Sequence, residues 1–134
     1  LWVRDGTGYT PYVMQTGWAR GLSDRTADGR IYVTATGMRT AFRHTFVRTF
    51  AGAWVNDSVA VAGTAADVDA ACNLVGTTVR SAWASADSPF LLTVGGSTLK
   101  LPIPRNSTGS AGGLSNDGWI TGSISAYGGV VWKP

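Results

Sequence analysis

One histidine, one cysteine and eight aspartates carry the titratable chemistry that catalysis or metal binding would draw on in this 134-residue sequence. Their spacing supports neither use. A hydrolytic triad would have to use His44, yet no serine sits in a G-x-S-x-G elbow, and a lone histidine between Phe42 and Phe46 fits a packed or interface position better. A zinc site would need His44, Cys72 and at least two aspartates. Asp67 and Asp69 are close in sequence, but the positive end of a helix dipole accounts for them without a carboxylate pair. The glycine clusters lack the Lys-Ser/Thr of a P-loop. The reading is therefore non-enzymatic, with no cofactor and no metal.

Binding chemistry is better represented. An aromatic ring stacks on a sugar face while nearby amide, carboxylate or hydroxyl groups bind sugar hydroxyls. Asn116-Asp117-Gly118-Trp119, beside the Gly/Ser-rich stretch 105–116, has that composition, and Tyr127 follows closely. Asn116, Asp117, Trp119 and Tyr127 are thus the candidate ligand-binding residues. Phe42, His44, Phe46 and Trp132 are the candidates for an interface between copies. The N-x-S/T sequons at Asn56 and Asn106 are what chance provides in a Ser/Thr-rich chain.

Charge narrows the partners. Only 14% of residues are charged and the net charge is +3, from 11 basic and 8 acidic groups that are scattered along the chain. Average soluble domains carry about 25% charged residues, so this surface fits contact with copies of itself or a partner. Nucleic-acid binding is unlikely without a dense basic patch; its one route is a coat or decoration role through Arg39, Arg43 and Arg48. No apolar run approaches the roughly 20 residues of a membrane span. A first residue other than Met fits a processed product or a piece of a longer protein.

These groups need elements to hold them. The stretch 64–86 is predicted to be one long amphipathic helix (about 65–86): Val68, Ala71, Cys72, Val75, Val79, Ala82, Trp83 and Ala86 recur every three or four residues. Thr64 serves as its N-cap with Asp67 three residues on, and Asp87-Ser88-Pro89 stops it. Cys72 falls on the apolar stripe as a small buried hydrophobe.

Strands are predicted elsewhere. Runs at 1–4 and 9–15 flank the turn at Asp5-Gly6-Thr7-Gly8, with Pro11 marking an edge. The run RIYVTAT at 30–36 alternates Ile31, Val33 and Ala35 with Tyr32, Thr34 and Thr36. At 38–50, Met38, Phe42, Phe46 and Phe50 fit either a helix side or a strand face, and the threonines favour the strand. A hairpin follows at 53–62, the runs 90–94 and 98–103 flank Gly95-Gly96-Ser97 as the clearest hairpin, and 105–116 reads as a long exposed loop. Strands at 119–127 and 130–132 close the chain. The predicted fold is one α+β domain over 1–134: a mostly antiparallel sheet or sandwich covered by one helix.

Three segments share a form: WVRDGTGYTP at 2–11, FVRTFAGAW at 46–54 and YGGVVWKP at 127–134. Each is an aromatic or apolar strand, a glycine turn, then an aromatic residue. This pattern resembles the tail-fibre and minor tail proteins of tailed bacteriophages. The resemblance implies a virion structural protein, located on the virion and so extracellular. It also implies a homotrimer, other virion proteins as neighbours, and a bacterial surface glycan as possible receptor. A central helix would suit a globular tip rather than a pure β fibre. A carbohydrate-binding module working alone is the alternative reading.

Overall fold

The computed structural model describes residues 2–5, 8–11, 18–24, 26–27, 30–37, 40–47, 53–55, 61–78 and 87–134. In chain order the strands are β1 (Trp2–Asp5), β2 (Gly8–Pro11), β3 (Trp18–Leu22), β4 (Arg30–Gly37), β5 (Thr40–Val47), β6 (Ala53–Val55) and β7 (Val61–Ala62). They continue as β8 (Thr64–Val68), β9 (Leu74–Thr78), β10 (Ser88–Leu92), β11 (Thr98–Lys100), β12 (Gly109–Leu114), β13 (Ile120–Ile124) and β14 (Gly128–Trp132). No helix is present among the described residues.

Every pairing among the described residues is antiparallel. β1 pairs with β2; β3-β4-β5-β6 form a second sheet with β7 also on β5; β11-β10-β9-β8 form a third, and β12-β13-β14 a fourth. The strand reading of 38–50 holds over β5, and the hairpin read around Gly95-Gly96-Ser97 is β10–β11, closed by Gly96 at φ 86°. Left-handed backbone of that kind suits glycine because a Cβ would clash there.

The long amphipathic helix is not there. Its first two-thirds form the β8–β9 hairpin, and 79–86 lie outside the described residues. The turn between β8 and β9 is incompatible with helix: Cys72 sits at φ 68°, outside the right-handed region. The Asp69 N–H donates to the Asn73 carbonyl at 3.0 Å, and the buried Asp69 carboxylate accepts the Asn73 backbone N–H at 2.8 Å and its side-chain Nδ2 at 2.7 Å. Cys72 is buried, as read, but in a turn rather than on a stripe. The fold is therefore β throughout the described residues, not α+β.

β9 explains why the pattern misled. Leu74, Val75 and Gly76 are consecutive and all buried. Successive strand residues face opposite sides, so Leu74 joins Ala65, Phe90 and Leu92 in one core while Val75 joins Ala111 and Ile120 in another. A strand covered on both faces loses its polar-apolar alternation. β4 is similar: Val33 and Ala35 are buried, and so are Thr34 and Thr36, whose hydroxyls accept the Gly21 and Ala65 N–H groups, both at 2.9 Å.

β8 is the seam between these layers. It pairs with β9 and packs against β3 and β4 as well as β12. Contact is close enough that a Cβ on Gly21 would fall 2.7 Å from the Asp67 Cα. Asp67 spans the other junction, accepting the Val68 N–H at one oxygen and the Leu114 N–H at the other, each at 2.9 Å.

The stretch read as a loop at 105–116 also differs: 109–114 is β12. Its small residues serve proximity rather than freedom. A Cβ on Gly113 would meet Thr121 Oγ1 at 2.8 Å, and one on Gly109 would meet the Ser123 carbonyl at 3.1 Å.

Candidate functional site

The β12–β13–β14 sheet brings together three of the four candidate ligand residues and leaves the fourth elsewhere. Asn116, Asp117 and Trp119 share the turn joining β12 to β13, whereas Tyr127 stands in the turn joining β13 to β14. These turns lie at opposite ends of β13. Ile120 to Ile124 alone spans about 13 Å at about 3.3 Å per residue.

At the Trp119 end the polar groups bind one another. The Ser115 N–H donates to the Trp119 carbonyl at 2.9 Å, the Gly118 N–H to the Ser115 carbonyl at 3.0 Å, and Gly118 supplies the required φ of 86°. The Ser115 hydroxyl donates to the Asp117 carboxylate and accepts the Trp119 N–H at 3.0 Å. Asn116 uses both ends of its amide: Oδ1 accepts the Ala70 N–H at 2.9 Å and Nδ2 donates to Asp24 Oδ2 at 2.7 Å. It is a clasp between the β3–β4 connection, the β8–β9 turn and the β12–β13 turn. Beside it lies a cleft of about 240 Å³ between Asp24, Asp67, Leu114 and Ser115, whose Asp67 carboxylate already holds two backbone amides. Lys133 Nζ stands 5.7 Å from the centroid of the Trp119 ring, and Trp119 itself is 41% exposed.

The Tyr127 end is different. A groove of about 420 Å³ opens between the end of β9, the start of β12 and the end of β13. Thr77, Thr108, Ser110, Ser123 and Ser125 line it, together with Asp87 and Ile124. Ser110 and Ser123 are register partners with hydroxyl oxygens 2.9 Å apart. Ser125 Oγ accepts the Thr108 N–H at 3.1 Å, Thr77 Oγ1 accepts the Ala111 N–H at 3.3 Å, and the Asp87 carbonyl accepts the Gly109 N–H at 3.0 Å. Tyr127, 69% exposed, stands in the turn between the lining residues Ser125 and Gly128. The groove lies on strand ends, mixes apolar and hydroxyl-bearing residues, and is next in sequence to the exposed Tyr127.

Sequence reasoning missed these residues. One signal was available: Thr108 and Ser110, like Ser123 and Ser125, are two apart, the spacing of one face of an extended chain, although only Ser110 and Ser123 fall within strands. What joins the pairs is the β12–β13 register.

The candidate interface residues are also distributed. Phe42, His44 and Phe46 lie on β5 opposite Ala35, Val33 and Ile31. Trp132 has an intramolecular role: it packs against the Val75, Ala111 and Ile120 core and donates its Nε1–H to the Pro102 carbonyl at 2.9 Å. It lies so close over Gly122 that a Cβ there would come within 2.7 Å of the ring. Of the three arginines considered for nucleic acid, Arg43 lies on β5 opposite Thr34, and Arg39 and Arg48 fall outside the described residues.

Among the described residues no three His, Cys, Asp or Glu side chains are grouped to hold a metal ion, and no helix is long and apolar enough to cross a membrane. Compared with known proteins, the chain matches no family model, no curated protein and no solved structure.

Proposed function

We propose that this protein is a non-enzymatic structural domain of a virion surface, comparable to a phage tail-fibre tip, that assembles with copies of itself and contacts a receptor on the host. The observation that carries this reading is where four of the seven large exposed apolar side chains among the described residues stand. Trp18 and Leu22 are on β3, Leu99 on β11 and Val131 on β14, each more than half exposed. Among the described residues all three are terminal strands of their sheets. An exposed edge with apolar side chains is a template for pairing with another chain, and monomeric proteins protect such edges with charge. β3 carries Arg20 and β11 carries Lys100, but β14, of sequence GGVVW, carries none.

The assembly reading is tested by absolute mass from light scattering behind size exclusion, over a tenfold concentration range. A stable mass near three times the 14.0 kDa chain mass supports the trimeric fibre-tip form. A monomer throughout that range contradicts it. A carbohydrate-binding module is the second reading, favoured by the hydroxyl-lined groove.

A further inference from the structure

We propose that β14 is the edge through which a second copy of this chain docks, the β14 strands of two copies pairing antiparallel about a twofold axis, an inference that rests on the self-assembly part of the function above. The two glycines show that the backbone of this strand is open. A glycine has no side chain, so the exposure of Gly128 and Gly129 is exposure of main chain. An added Cβ at either would find nothing within 4 Å among the described residues. Natural edges are protected by charge, proline, a bulge or shortness. β14 uses none of these: its five residues, GGVVW, carry no charge and no proline and pair with β13 without a shift of register.

The order of residues names the occupant. A twofold contact joins the same patch on both copies, so if one residue meets another, the second also meets the first. With all five residues paired against the same strand of a second copy, Gly128 lies opposite the partner's Trp132, Gly129 opposite the partner's Val131, and Val130 on the axis. Residues directly opposite in an antiparallel pair share a face, so bulky meets glycine on both faces. Val131, 60% exposed, then lies beside the open outer side of the partner's Gly129. Trp132, whose ring is seated on Gly122, meets only glycine across the new pair. The two three-stranded sheets become one continuous sheet.

Charge favours this edge over the other two. Lys133, just past β14, falls opposite the partner's Tyr127, which puts the two Lys133 positions about 20 Å apart at about 3.3 Å per residue, beyond the Debye length of roughly 8 Å. β3 paired with itself over its whole length would set Arg20 opposite the partner's Arg20, and like charges directly opposite are destabilising. β11 has only three residues and ends in Lys100. Self-pairing there would bring the two Lys100 positions to about 7 Å along the pair.

The test is a charge swap, read as absolute mass of the full chain by light scattering behind size exclusion. Gly129 and Val131 are both exposed, so two variants leave the core untouched: Gly129→Lys with Val131→Lys, and Gly129→Asp with Val131→Asp. The parent is expected at twice the 14.0 kDa chain mass, or at six times where a threefold contact forms as well. Each variant alone sets like charges directly opposite and is expected at half the parent mass. Mixing the two sets lysine opposite aspartate and is expected to restore it. Amide spectra of each variant check that the fold is kept. Independently of any variant, an equal mixture of isotope-labelled and unlabelled parent should show a contact between Gly129 of one copy and the Val131 methyls of the other. An oligomer without that contact, a mass that the swap leaves unchanged, or a mixture that restores nothing overturns the inference. A parent at three times the chain mass that ignores the swap leaves assembly standing and removes β14 as its edge; a monomeric parent removes both.

Discussion

The two ends of the β12–β13–β14 sheet are made from nearly the same residues and do opposite things with them. At one end Ser115, Asn116, Asp117, Gly118 and Trp119 form a turn whose hydroxyl, carboxylate and amide bind their neighbours, and whose indole faces Lys133. At the other, Ser123, Ser125 and Gly128 border an open groove in which the serine hydroxyls keep bonding capacity, and Tyr127 stands exposed in the adjoining turn. Polar and aromatic composition does not make a binding site. What matters is how much hydrogen-bonding capacity the fold leaves unspent.

Gly122 is where the two ends depend on one frame. A Cβ there would fall 2.1 Å from the Ser110 carbonyl oxygen. Gly122→Ala should cost about 3 kcal/mol or more in urea unfolding, with both ends lost together, because backbone and the Trp132 ring must move. Gly129→Ala, on the next strand with open space around it, should stay within about 0.5 kcal/mol of the parent or gain slightly. Equal effects at the two glycines would break the picture of Trp132 seated on Gly122.

Next in size is the clasp. Asn116→Ala removes one bond to a backbone amide and one to a carboxylate, and should lower unfolding free energy by about 1–2 kcal/mol while leaving saccharide affinity unchanged. On the carbohydrate-module reading Tyr127→Ala should give the converse: glycan binding weakened by roughly 1.4 kcal/mol, about tenfold, and stability altered by less than about 0.5 kcal/mol. Calorimetric titration and denaturant melts on both variants sharpen the contrast. A shared phenotype would erase it. The smallest effect belongs to Lys133→Ala, which removes the cation beside the Trp119 ring and should cost about 0.5 kcal/mol, read by tryptophan fluorescence in a urea titration.

Parts of this arrangement were legible in the sequence. Gly95-Gly96-Ser97 between apolar runs gave the β10–β11 hairpin, and the alternation over 30–36 gave β4. The helix was misread because Leu74 and Val75 feed two cores, which hides the two-residue period, and because Val68, Cys72 and Val75 happen to fall at helical spacing. The turn that forbids the helix rests on Asp69 clasping Asn73 across four residues, a contact that composition does not announce. β12 was read as a loop because glycine and serine carry little strand signal; their reason for being there is the close approach of β13. Of the candidate site, the sequence names Tyr127 as a ligand-binding aromatic, but the groove near it exists only once Ser110 is set against Ser123 by the register.

The most direct measurement of which end binds is an amide-resolved titration of the ¹⁵N-labelled protein with the neutral oligosaccharide that binds best. The account predicts progressive shifts at Gly109, Ser110, Ser123 and Gly128, with Asn116, Gly118 and Trp119 unmoved. Shifts confined to Asn116, Gly118 and Trp119 would contradict it and return the binding role to the turn that here appears only as a clasp.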